Sequence, residues 1–122
     1  MAYRNVSVWL EDIVKAIERI EFYIKDVGSL SNFLNSKVTI DATERNIEII
    51  AEALNRSLKL NPQLPITDAR KIVGLRNIIN HEYYEVEYDR LYTIIIKNLP
   101  VLKSEVKKIL EEFERKLDLN EL

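Results

Sequence analysis

The stretch VSVWLEDIVKAIERIEFYIKDV, running from Val6 to Val27, sets the reading of the whole chain. Its apolar residues Val6, Leu10, Ile13, Ile17, Ile20, Ile24 and Val27 are spaced alternately four and three apart. On a helix this spacing gathers them into one seam lasting about six turns. The expectation is a first helix that ends near Gly28. The chain as a whole agrees, because 2 glycines and 3 prolines in 122 residues leave little to interrupt long helices.

Working outward from that seam, the segment Ser29 to Thr39 is looser, and its Leu30, Phe33 and Leu34 suit a short helical turn. Asp41 followed by Glu44 has the spacing of a capping box, which predicts the start of a second long helix. Its buried side is expected to carry Ile47, Ile50, Ala51, Leu54 and Leu58, and Asn61-Pro62 with Pro65 stops it. Thr67 is the expected N-cap of a third helix bearing Ile72, Val73, Leu75 and Ile79. A fourth is expected to begin near Glu87 and pass Leu91, Ile94 and Ile95, with Pro100 either kinking it or dividing it in two. Leu102, Val106, Ile109 and Phe113 then resume the seam. The β-branched run Tyr92 to Ile96 has strand propensity, but no second segment of similar pattern exists to pair with it, so the helix continues there. The fold class is therefore all-α: an antiparallel bundle of about four long helices plus short helical segments, with residues 1–122 as one domain.

Composition narrows function. The absence of cysteine excludes a disulfide framework, a thiolate nucleophile and a thiolate metal site, and no metal or cofactor is expected. The opening residues Met1 to Asn5 lead into a run broken by charges, unlike a signal peptide or a membrane span. A cytoplasmic protein with no membrane association is the expectation. Eighteen basic residues against 20 acidic give a net charge of -2, so no global field gathers nucleic acid and any RNA contact must be local. Local candidates are Arg56 with Lys59, Arg70 and Lys71 with Arg76, and Lys103 with Lys107 and Lys108. Each also reads as an ordinary solvated helix face.

The stretch nearest to chemistry is Arg76-Asn77-Ile78-Ile79-Asn80-His81-Glu82-Tyr83, which holds the single histidine of the chain. An imidazole exchanges protons near neutral pH, and a guanidinium offers forked donors that fit a phosphate. Residues five apart on a regular helix lie about 140° apart around the axis and about 7.5 Å along it. Arg76 and His81 converge only if the helix ends or loosens between them, and Asn80 to Tyr84 is a suitable place. Cleavage of RNA by its own 2′-hydroxyl needs one group to take a proton, one to give a proton and one to stabilise the crowded phosphate. One histidine cannot do both transfers at once, whereas a symmetric dimer brings two copies of Arg76 and His81 to one groove. On the second helix Arg45, Glu48 and Glu52 form a polar strip that can face this stretch, or else an exposed ladder of ion pairs. The plain reading of the histidine is a helix cap or a packed core residue.

The pattern Arg76-Asn77, three residues, His81, one residue, Tyr83 resembles the signature of the HEPN superfamily and, within it, of the HepT toxins of HepT/MNT toxin-antitoxin systems. The segment Asp41 to Ala53, the Ile72-Val73-Gly74-Leu75 approach, the Asn61 to Pro65 connector and the Val86 to Tyr92 entry are similar as well, so the likeness extends over nearly the whole chain. What it implies is a helical homodimer acting as a metal-independent endoribonuclease, with Arg76 binding the scissile phosphate and His81 moving the proton. Asn77 would orient the site, with Arg45 and Glu52 in support. Tyr83 falls where the family's tyrosine accepts AMP from an MNT-type nucleotidyltransferase antitoxin, and that partner would join the homodimer, up to a larger hetero-oligomer. Tyr83, like Tyr84, Tyr88 and Tyr92, also reads as a packing residue. The alternative function is a non-catalytic helical module that docks a nucleotidyltransferase.

Overall fold

The computed structural model describes residues 2–79 and 88–120, with the side chains of residues 4–77 and 88–120. Among them the chain forms α1 (Ala2–Val27), α2 (Leu30–Leu34), α3 (Lys37–Leu60), α4 (Ala69–Val73), α5 (Leu75–Ile79) and α6 (Tyr88–Asp118), and no strand. The all-α bundle read from the periodicity is the fold observed. Val6, Leu10, Ile13, Ile17 and Ile20 of α1 are all buried, and Ile24 packs partly against the same core. Their partners are Ile47, Ile50, Leu54 and Leu58 of α3 and Leu91, Ile95, Leu99, Leu102 and Val106 of α6. α1 is the shared neighbour of α3 and α6, while α4 and α5 pack on α3. Each such side chain taken out of water contributes roughly 1.5–3 kcal/mol, so this seam is the main source of stability.

Local chemistry sets the helix ends. Gly28 sits at φ +79°, and its N–H donates to the Ile24 carbonyl at 3.0 Å, closing α1 with a left-handed residue. Ser29 then caps α2 by accepting from the Asn32 N–H at 3.1 Å, which turns Phe33 inward against the Tyr92 ring, 5.3 Å away. α3 begins earlier than the Asp41–Glu44 capping box implies. Its N-cap is Ser36, whose hydroxyl accepts from the Thr39 N–H at 3.2 Å, and Asp41 is instead an exposed partner of Lys37 one turn back. Both segments carry plausible cap chemistry, and the earlier one wins because Ile40 then enters the core.

Two further expectations change. Thr67 does not cap a helix: its N–H and hydroxyl both donate to the Glu105 carboxylate of α6, at 2.9 and 2.8 Å, and left-handed Asp68 precedes α4. The single third helix is divided at Gly74 into α4 and α5, so the chain turns just before Arg76. Pro100 does not divide α6, which runs unbroken for 31 residues. The stretch Tyr92 to Ile96 lies within it.

Candidate active site

The site is built on the flank of α3. There Arg45, Glu48, Glu52 and Arg56 follow one another at three- and four-residue steps, which places them along one stripe. One turn of α1 contributes Trp9 and Asp12, and α5 contributes Arg76, so that with α3 they line an open groove of about 430 Å³. Gly74 separates α5 from α4. The Gly74 N–H donates to Arg70 and the Asn77 N–H to the Gly74 carbonyl, both at 3.0 Å. Ile72 and Leu75 are buried on either side of this turn and fix it, leaving Arg76 to project along the surface.

Arg76 is held by a carboxylate. Its Nη1 donates to Glu52 Oε2 at 2.8 Å, while Arg56 Nε donates to Glu52 Oε1, also at 2.8 Å. Each oxygen of Glu52 therefore takes one guanidinium. All three side chains are about half exposed, and such pairs add little to stability. Their effect is orientation: a long arginine that would sample many rotamers is kept at the groove with donors to spare. Two guanidinium groups side by side have the forked donors that suit a phosphate.

The expected site residues are thus partly assembled. Arg76, Arg45 and Glu52 line one groove with Glu48, whereas Asn77 is exposed on α5 and does not line it. Of the polar strip on α3, Glu52 reaches Arg76 while also pairing with Arg56 one turn along its own helix. His81 and Tyr83, and the loosening expected from Asn80 to Tyr84, lie outside the described residues. Reading by sequence missed Trp9 and Asp12 and paired Arg56 with Lys59 instead of Glu52. The signal was present in the spacing of Trp9 and Asp12, three apart beside the α1 seam, and of Arg56, one turn after Glu52.

Beyond the groove, Tyr88 at the start of α6 donates to Glu44 Oε1 at 3.4 Å. Burial, then the nearby Asp41 charge, raises the Glu44 carboxyl above its ordinary value. Burial and the Glu44 charge likewise raise the Tyr88 phenol. The basic cluster at Lys103 is less available than its sequence implies, because Lys103 is paired with Glu21 at 2.8 Å and Glu18 at 3.7 Å. Among the described residues no helix is long and apolar enough to cross a membrane.

The family described as "Ribonuclease HepT-like" matches residues 13–109, a span that contains the α3 stripe and the whole Arg76 to Tyr83 stretch. The chain belongs to the HepT-like ribonuclease family of the HEPN superfamily. Among relatives of this HepT-like chain, "Putative RNase MJ1380" of Methanocaldococcus jannaschii is 32% identical over 88% of this chain and 98% of its own length. The "Probable ribonuclease HepT" of Thermococcus cleftensis is 32% identical over 87% of this chain and 96% of its own. A longer protein of M. jannaschii, "Gamma-glutamylcyclotransferase and putative RNase MJ0434", is 32% identical over 92% of this chain, which spans only 50% of that protein. No solved structure matches.

Proposed function

We propose that this chain is a metal-independent endoribonuclease toxin, acting as a cytoplasmic homodimer of single-domain protomers. Arg76 and His81 of both protomers work around one groove, and an MNT-type nucleotidyltransferase antitoxin silences them by attaching AMP to Tyr83. The observation that carries the reading is the Glu52 bridge, which presents Arg76 at a groove rather than leaving it loose on a helix surface. The names printed for the relatives support the ribonuclease class.

In this scheme one His81 takes the proton of the ribose 2′-hydroxyl, and the oxygen attacks the adjacent phosphorus. Arg76 meets the charge that builds on the equatorial oxygens. The bond from phosphorus to the 5′ oxygen breaks, and the second His81 returns a proton to that oxygen. The products are a 2′,3′-cyclic phosphate and a free 5′-hydroxyl. For silencing, the Tyr83 phenol oxygen attacks the α-phosphorus of ATP and pyrophosphate leaves. The added phosphodiester then brings a negative charge beside the cations that RNA needs. Asn77, exposed one residue after Arg76 and outside the groove lining, is assigned the supporting role of orienting the site.

Expression without an antitoxin tests the scheme. Wild type is expected to arrest growth and degrade RNA, while His81→Ala accumulates as folded protein and does neither. Equal behaviour of the two, with a folded variant, favours the docking-module reading instead. Intact mass after incubation with the partner enzyme and ATP should rise by AMP units on wild type but not on Tyr83→Phe.

A further inference from the structure

Trp9 is the single tryptophan of the chain, and it precedes the residues matched by the family. One side of it packs against the core built by α1, α3 and α6, and it remains partly exposed where it lines the groove with Arg76. An indole fixed in this way offers a rigid apolar face at a polar site. We propose that this face is the stacking platform for a base of single-stranded RNA, seating the nucleotide next to the bond that is cut. The proposal rests on the ribonuclease reading and adds the subsite that positions the substrate.

Charge shows why the aromatic face matters. The groove is lined by Arg45, Arg56 and Arg76 and also by Asp12, Glu48 and Glu52, so its guanidinium and carboxylate charges cancel. The chain as a whole is slightly acidic at -2. Neither the groove nor the surface gathers a polyanion by field alone, and affinity must come from contact. Every base has a π face, and stacking on an aromatic side chain is worth more than most single polar contacts to a flexible strand. The volume of about 430 Å³ falls within the range of pockets that hold small ligands. Arg45 makes no ion pair among the described residues and is available to the phosphate that follows the stacked base. The carboxylates of Asp12 and Glu48 supply acceptors for base-edge amines.

Because Trp9 is unique, its fluorescence reports the site directly. The probe is a 2′-O-methyl RNA tetranucleotide, which lacks the attacking hydroxyl and so binds without being cut. Titration into the full chain is expected to quench Trp9 saturably. With a fluorescein-labelled copy of the same probe read by anisotropy, Trp9→Leu should bind about tenfold more weakly, and Trp9→Tyr, which keeps an aromatic face, should stay close to wild type. Unquenched Trp9, or Trp9→Leu binding as tightly as wild type, overturns the proposal. Should Trp9→Leu fail to fold, wild-type quenching with retained binding by Trp9→Tyr supports it, and a lack of quenching overturns it. Cleavage of ordinary RNA measured in parallel separates the two readings. Wild type that cuts RNA while Trp9→Leu binds normally sinks only the stacking site. Quenching and weakened Trp9→Leu binding without any cleavage by wild type sinks the ribonuclease reading and leaves the stacking site in place.

Discussion

Leu54 and Glu52 stand two residues apart on α3 and are held by different physics. Leu54 is fully buried in the core that α3 shares with α1 and α6, so its position follows from close packing that no neighbour can leave without opening a void. Glu52 is about 42% exposed and is placed by two guanidinium groups from different helices. The first face of α3 makes the fold, and the second is free to change partners. A site that must admit a phosphate and release a product belongs on the second kind of face.

Leu54→Ala is expected to cost about 2–5 kcal/mol in urea unfolding, because the α1–α3 seam cannot close over the lost volume. A cost below about 1 kcal/mol would mean that the seam is not the main core. A smaller effect is expected at Gly28, where an added Cβ meets nothing within 4 Å but the φ of +79° is unfavourable for other residues. Gly28→Ala should destabilise by about 1 kcal/mol, a purely backbone cost read from the same unfolding curves. Glu52→Gln acts on the exposed face. Its stability should change by no more than about 0.5 kcal/mol, while RNA cleavage falls by about tenfold as Arg76 loses its hold. A variant that is strongly destabilised would place Glu52 in the packing class after all.

The smallest expected effect concerns pH. Because burial and Asp41 raise the Glu44 carboxyl, the folded chain binds more protons there than the unfolded chain does between the two pKa values. Stability should therefore decline as pH rises through that window. Glu44→Gln keeps an oxygen to accept from Tyr88 and should remove this part of the decline, seen as a flatter melting temperature against pH. An unchanged profile would show that Glu44 is not the group responsible.

The packed face was legible in the sequence because burial imprints a period. Val6 to Ile20 on α1 and Ile47 to Leu58 on α3 could be read off directly, and both are buried as expected. Helix ends were less legible, since Asp41–Glu44 and Ser36–Thr39 satisfy similar local rules and only the burial of Ile40 separates them. Thr67 was misread for a different reason: its partner Glu105 is 38 residues away, beyond any local pattern. Gly74 was visible as a residue but not as a break, because its backbone stays in the right-handed helical region at φ -67°, ψ -14° and a second helix resumes at the very next residue. At the groove, the Arg76 end was legible from the motif. Trp9 was not, because an aromatic residue beside an apolar seam looks like one more core contact until the fold shows which helices flank it.

The most direct measurement is cleavage of single-stranded RNA by purified wild type and Arg76→Ala, following the appearance of 2′,3′-cyclic phosphate ends. Arg76 lies on the surface, so the variant should fold normally, and its rate is expected to fall by about 10²–10³. Cleavage by Arg76→Ala at the wild-type rate would contradict the placement of the active site at this groove.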